Sequence, residues 1–250
     1  MERLFFLSGL PRSGSQWLGR LLNQNPRIYV PLVSPFIEVL WRQYSTWDDP
    51  DWKEDFFGIE DLRSPYLKKA SSLYFSHLTD KPVVIDMRRH WQSVENIEMY
   101  LEIFGEMPKI ICPVRNIEDI MASFASLFHK NDIEWSADRI AGNTFDLNYV
   151  QLKNTFESKY KDCLLLVDYN ELSTNTIPIL KKIYEFIGED FYNHDFNATH
   201  PPLICKKIEQ SMGLNGLFNI KSGIKKSVSN PNNYFTEDQI KNFTEMKFWN

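Results

Sequence analysis

Short apolar runs alternate along the chain with longer stretches in which apolar residues recur every three or four positions. The runs are Leu4-Phe5-Phe6-Leu7, Val83-Val84-Ile85, Lys109-Ile110-Ile111-Cys112-Pro113-Val114 and Cys163-Leu164-Leu165-Leu166-Val167, each of a length that suits a buried strand. Helical spacing follows each in turn: Trp17, Leu18, Leu21 and Leu22; then Val94, Ile97, Tyr100, Leu101 and Phe104; then Ile117, Ile120, Met121, Phe124 and Leu127; then Ile179, Leu180, Ile183, Phe186 and Ile187. Gly105 and Gly188 stand where two of these helices should stop, since glycine accepts the left-handed conformation that closes a helix. The alternation predicts an α/β fold, a central parallel β-sheet flanked by helices on both faces.

Two further segments, 34–78 and 135–160, are helical in pattern and rich in aromatics, with Pro50 and Pro65 interrupting the first. They are expected to cover the sheet and shape a pocket. From His200 to Tyr234 the periodicity fades into Pro, Gly, Asn, Ser and Lys, the composition of a loop. Thr236 followed by Gln239 then predicts a capped last helix. Neither an internal repeat nor a long linker divides the chain, so residues 1–250 read as a single domain.

Charge and composition narrow the function. The formal charge is −5, from 28 basic and 33 acidic residues, which gives no overall basic field for nucleic acid or an anionic membrane. Any anion must be bound locally. No apolar run approaches the ~20 residues that cross a bilayer, and no apolar leader precedes the first strand, so the reading expects a cytoplasmic protein. Cys112, Cys163 and Cys205 lack CxxC spacing and read as reduced thiols, the first two in the core. His77, His129, His194 and His200 show no mutual ligand spacing, and no metal is expected.

Only 10 of the 250 residues are glycine, yet Gly9, Gly14 and Gly19 crowd into one window and Gly213, Gly216 and Gly223 into another. The first window lies between a strand and a helix, where backbone N–H groups and a helix N-terminus surround an anion. Gly9 and Gly14 have the spacing of GxxxxGK[ST], but Ser15 stands at the lysine position and Gln16 at the metal-binding hydroxyl. The cation has moved to Arg12, inside the loop. That pattern describes transfer of an anionic group without a metal.

The segment Gly9-Leu10-Pro11-Arg12-Ser13-Gly14-Ser15-Gln16-Trp17-Leu18 resembles the GxPRSGTTWL loop of the sulfotransferase family, enzymes that use 3′-phosphoadenosine 5′-phosphosulfate (PAPS). The resemblance implies that Gly9, Pro11, Arg12, Ser13, Gly14, Ser15 and Gln16 hold the 5′-phosphosulfate and that Trp17 stacks on the adenine. Arg115-Asn116-Ile117-Glu118-Asp119-Ile120-Met121-Ala122-Ser123 is similar to the family's RNPxDxxxS motif with Ile117 in place of proline, which implies Arg115 and Ser123 as ligands of the 3′-phosphate. Asp168-Tyr169-Asn170-Glu171-Leu172 resembles a YEDL-like segment whose tyrosine lies near the nucleotide. Lys221-Ser222-Gly223 resembles an RKG-like loop over the 3′-phosphate. The fold implied is the P-loop NTPase-like sulfotransferase fold, with PAPS as co-substrate.

Sulfonate transfer needs a base for the attacking hydroxyl or amine. Arg88-Arg89-His90, after the second apolar run, is similar to the cation-x-His pattern of one branch of the family and makes His90 one candidate. Asp86, at the end of the same run, and Glu38, in the helical segment after Ser34-Pro35, are the others. Arg12 would stabilise the departing charge. The acceptor would be a small molecule, glycan or lipid lined by the aromatic segment 34–78. Two other readings stand beside this one: an ATP-dependent phosphotransferase of the P-loop class and a nucleotide-binding module without catalysis. Without the motifs, Arg115 reads as a surface arginine at a helix start, His90 as a structural histidine and Lys221 to Lys226 as a solvated loop.

Overall fold

The computed structural model describes residues 2–197, 203–217 and 229–249. Its centre is a five-stranded, wholly parallel sheet in the order β2-β3-β1-β4-β5, built from β1 (Arg3–Leu7), β2 (Ile28–Tyr29), β3 (Val83–Met87), β4 (Ile110–Val114) and β5 (Leu164–Asp168). The helices are α1 (Ser15–Leu22), α2 (Phe36–Thr46), α3 (Arg63–Ser76), α4 (Val94–Phe104), α5 (Ile117–Lys130), α6 (Ala137–Ile140), α7 (Asp146–Phe156), α8 (Tyr169–Thr174), α9 (Thr176–Ile187), α10 (Leu203–Met212) and α11 (Glu237–Glu245).

Because alternate side chains of a strand face opposite sides, each strand feeds two cores. Leu4, Phe6, Ile110, Cys112 and Val114 join one, with α2 to α5, α7 and α11; Phe5, Leu7, Val83, Ile85 and Ile111 join the other, with α1 and α9. Phe6 lies at the centre of the first core, its ring 3.9 Å from Trp91 and 5.2 Å from Tyr100. The register places Leu7 beside Met87 and Val114 beside Asp168. The C-terminal ends of β1, β3, β4 and β5 therefore open on one edge, where the chain continues into residues 8–14, 88–92, 115–116 and 169. The path from β1 to β3 goes to one side and β4 to the other, so the order switches beside β1, which is where open α/β sheets form a crevice.

The predicted strands and helices are all present, and Gly105 and Gly188 close α4 and α9 at φ +75° and +68°. Thr236 and Gln239 form a reciprocal capping box at α11. Cys112 and Cys163 are buried thiols. Three expectations are corrected. Pro65 starts rather than interrupts a helix, because it occupies the first turn of α3, where a missing N–H costs nothing. The segment 200–234, expected as loop, contains α10 after the Pro201-Pro202 pair, in a run whose Lys206, Lys207, Glu209 and Gln210 are strong helix formers. The two-residue β2 was not predicted, being too short to carry a pattern. No helix among the described residues is long and apolar enough to cross a membrane.

Truncating Phe6, which is fully buried among Trp91 and Tyr100, leaves a cavity under β1. Phe6→Ala is expected to cost about 3–5 kcal/mol of unfolding free energy, read from urea denaturation by circular dichroism. A loss under about 1 kcal/mol contradicts this packing.

Candidate active site

The turn after β1 runs against the end of β4. Gly9 has φ +83°, and a Cβ there would lie 2.3 Å from the Pro113 carbonyl oxygen and 2.6 Å from its nitrogen. Leu10 N–H donates to the Pro113 oxygen at 2.9 Å, and the Ser13 hydroxyl lies 2.8 Å from the same oxygen and 2.5 Å from that of Leu10. Gly14, φ +91°, precedes α1 and packs on the Tyr169 ring, which a Cβ would approach to 2.7 Å. Between the two glycines Arg12 itself has φ +60°, a left-handed conformation that costs a residue with a Cβ roughly 1–2 kcal/mol. Its guanidinium explains what that turn achieves.

Arg12 Nε donates to Ser123 Oγ on α5 at 3.1 Å, and Arg12 Nη1 donates to the Leu217 carbonyl at 2.7 Å. Arg115, at the end of β4 and 2% exposed, sends Nη1 to the Arg12 carbonyl at 3.4 Å, lies 4.7 Å over the Tyr169 ring and faces Asp119 at 3.6 Å. Burial, and then the nearby charge of Arg115, hold the Arg12 guanidinium below its usual range. Thus Arg12, Gly14, Arg115, Ser123 and Tyr169, drawn from three strand ends, meet in one place.

The end of β3 supplies a second cluster. Asp86 is fully buried, accepts from Trp91 Nε1 at 2.7 Å and is hydrogen-bonded by Ser34. Burial pushes its carboxyl up to about 6 against these hydrogen bonds. Arg88 holds Glu38 of α2 through its Nε at 2.7 Å and also through Nη2. His90 Nδ1 lies 3.8 Å from the same Glu38 oxygen, and its side chain is 41% exposed, enough to meet a ligand. Desolvation, then Arg88, lower its pKa below the ordinary histidine value, with Glu38 opposing. Arg89 is exposed over part of its side chain, while desolvation, then the charges of Arg12 and Arg88, push its guanidinium down to about 10. The Arg88 N–H donates to the Leu7 carbonyl at 3.1 Å and the Ser8 hydroxyl to the Arg89 carbonyl at 2.6 Å, so the base candidates sit directly beside the loop.

Gln16 and Trp17, both expected at the nucleotide, have the following contacts. Gln16 donates its side-chain amide to the Leu32 carbonyl at 2.8 Å. Trp17 is 7% exposed and belongs to the core beneath α1, because helical spacing puts it on the same face as Leu18, Leu21 and Leu22. Lys221, Ser222 and Gly223 lie outside the described residues. Ser8, Gln92 and Arg89, which join the two clusters, were not singled out as site residues. The only signal for them was adjacency to Gly9 and His90. No group of His, Cys, Asp or Glu among the described residues is arranged to hold a metal ion.

A family model described as "Sulfotransferase family" matches residues 5–193. No curated protein matches. Among solved structures, the sulfotransferase domain from the curacin biosynthetic pathway is similar at TM-score 0.56 and 14% identity, over 97% of this chain and 95% of that one. The sulfotransferase domain from the Synechococcus PCC 7002 olefin synthase matches at TM-score 0.53 and 18% identity, over 97% and 93%. Mouse sulfotransferase SULT7A1, solved in complex with PAP, matches at TM-score 0.54 and 17% identity, over 98% and 83%. At these identities the likeness concerns the fold, which is the P-loop-like α/β fold of these enzymes.

The burial of Asp86 has a pH consequence. With its pKa raised from 3.8 to about 6, the fold prefers the protonated carboxyl. The stability it contributes is complete below pH 3.8 and is lost as pH rises through 6. Asp86→Asn, neutral throughout, should gain stability relative to the parent between pH 4 and pH 7 in denaturant titrations. Parallel stability curves for the two proteins count against a raised Asp86.

Proposed function

We propose that this chain, which belongs to the sulfotransferase family, transfers the sulfonate of PAPS to a hydroxyl or amine of an acceptor. The observation that supports this reading best is the convergence of Arg12 and Arg115, from the two separate motifs, on Ser123 and Tyr169. Like charges so close repel; Asp119 offsets Arg115 on one side, and a nucleotide with phosphates at both ends would bring negative charge to Arg12 as well. The loop Gly9 to Gly14 and the start of α1 would hold the 5′-phosphosulfate, with backbone N–H groups supplied from Arg12 onward, since those of Gly9 and Leu10 are taken by Gln92 and Pro113. Arg115 and Ser123 would take the 3′-phosphate, Tyr169 would lie beside the nucleotide, and Lys221 to Gly223 would contribute from the C-terminal side.

In the reaction the acceptor oxygen or nitrogen forms a bond to sulfur while the bond from sulfur to the bridging oxygen of the 5′-phosphate breaks. The products are the sulfated acceptor and 3′-phosphoadenosine 5′-phosphate (PAP). Arg12 stabilises charge on the departing phosphate, as a fixed donor aimed where charge develops does. His90 takes the acceptor proton on Nε2, with Nδ1 turned to Glu38, which is held in turn by Arg88. Among the three base candidates His90 is favoured because it is both solvent-accessible and biased to the neutral form. Asp86 is fully buried, and the Glu38 carboxylate is engaged by Arg88. The acceptor would enter between α2 and the turn at 88–92.

The test uses purified protein, sulfur-labelled PAPS and a panel of phenols, primary alcohols and amines, alongside calorimetry of PAP binding without magnesium. Arg12→Ala is expected to lower turnover about 10²- to 10³-fold with an unchanged circular dichroism spectrum; full turnover by that variant overturns the mechanism. His90→Asn should lower it about 10²- to 10⁴-fold. Since the neutral imidazole is the active form and its pKa in the free protein is depressed, kcat/KM should rise with pH and pass half its plateau below the ordinary histidine value. A rate still climbing above pH 8 assigns the base elsewhere.

A further inference from the structure

Arg12 and His90 belong to different strand connections, and a single buried amide joins those connections. Gln92 ends the short turn Arg89–Gln92 and is fully buried. Its Oε1 accepts the Gly9 N–H at 2.7 Å and lies 3.2 Å from the Ser8 hydroxyl, which donates to the Arg89 carbonyl at 2.6 Å. On the other side Nε2 donates to the Asn148 carbonyl of α7 at 2.7 Å, and the Gln92 carbonyl accepts from the Thr155 hydroxyl, also of α7, at 2.7 Å.

A buried amide with this many partners is not the least costly way to fill space. An apolar side chain of similar volume would avoid the desolvation of the amide. What the amide adds is direction. Through Gln92 and Ser8 the first residues of the loop are tied to the turn that carries His90, and the turn is tied to α7.

We infer that Gln92, with Ser8, is a positioning residue: it fixes the separation between the base-bearing turn and the donor loop, so that His90 and Arg12 stay on opposite sides of the group in transfer. This rests on the reading under Proposed function. Small displacements of reacting groups lower rates steeply while leaving ground-state binding intact. The signature of this role is therefore a loss in kcat without a matching loss in donor affinity.

The experiment compares the parent with Gln92→Met and Ser8→Ala. It uses labelled PAPS with the best acceptor of the panel, or water if none is sulfated, and PAP binding by calorimetry. Each variant should lose about ten- to a hundredfold in kcat while the Kd for PAP stays within about threefold. The inference is overturned if the folded variants keep kcat within twofold of the parent, or if PAP affinity falls in step with the rate, which would make Gln92 a prop for the loop alone. Should Gln92→Met fail to fold, Ser8→Ala, which removes one hydroxyl, decides by the same criteria. A parent protein that neither binds PAP nor consumes PAPS fails the functional reading itself, and this inference with it.

Discussion

The contact between Gly9 and Pro113 determines how the site is assembled. Pro113 sits in β4, an inner strand, where a missing N–H ordinarily breaks the ladder. Its carbonyl faces β1 and accepts from Leu10 and Ser13, so its nitrogen faces the same way. There it meets Gly9, which leaves the sheet at φ +83° with no Cβ to clash. Proline removes the donor where the neighbouring strand stops pairing, and glycine allows the backbones to touch. From that point the chain turns along the end of β4, which brings Arg12 over α5 and within reach of Ser123.

Electrostatics then adds a local field that the whole molecule lacks. The chain carries a net charge of −5, yet Arg115, Arg12, Arg89 and Arg88 form a series: beyond desolvation, the charge of Arg115 lowers the Arg12 pKa and those of Arg12 and Arg88 lower that of Arg89. Two carboxylates offset it at its ends: Asp119 beside Arg115 and Glu38 beside Arg88. The middle of the series, at Arg12, is held by a hydroxyl and a carbonyl, groups that hold a guanidinium without cancelling its charge. A bound polyanion would relieve the repulsion where it is greatest.

Much of this was legible in the sequence because the sheet is parallel. Strands covered on both faces must be apolar throughout, so β1, β3, β4 and β5 stood out as uninterrupted runs, and the helices between them kept a clear period. The site motifs were legible for a related reason: strand ends followed by Gly, Arg or Asn mark where the chain leaves the sheet. β2 escaped because two residues carry no pattern. Gln92 escaped because its meaning lies in contacts with Gly9, 83 positions away, and with Asn148, 56 positions away. Trp17 is 7% exposed and shares the buried face of α1 with Leu18, Leu21 and Leu22, as their helical spacing predicts.

The two clusters place opposite demands on a small volume, and their proximity reconciles them. An anion-binding loop needs cations, while a proton acceptor at neutral pH needs to be uncharged. Here the same arginines serve both ends, for after desolvation it is Arg88 and Arg89 that oppose protonation of His90, while Glu38 favours it. On the proposed reading, an anionic donor entering the loop would weaken the cationic field and strengthen His90 as a base when a sulfonate is at hand. The imidazole would be least basic in the empty site and most basic in the loaded one. That coupling requires the base turn and the loop to share one rigid frame, which the hydrogen bonds from Arg88 N–H to the Leu7 carbonyl, and from Ser8 and Gly9 to Arg89 and Gln92, provide.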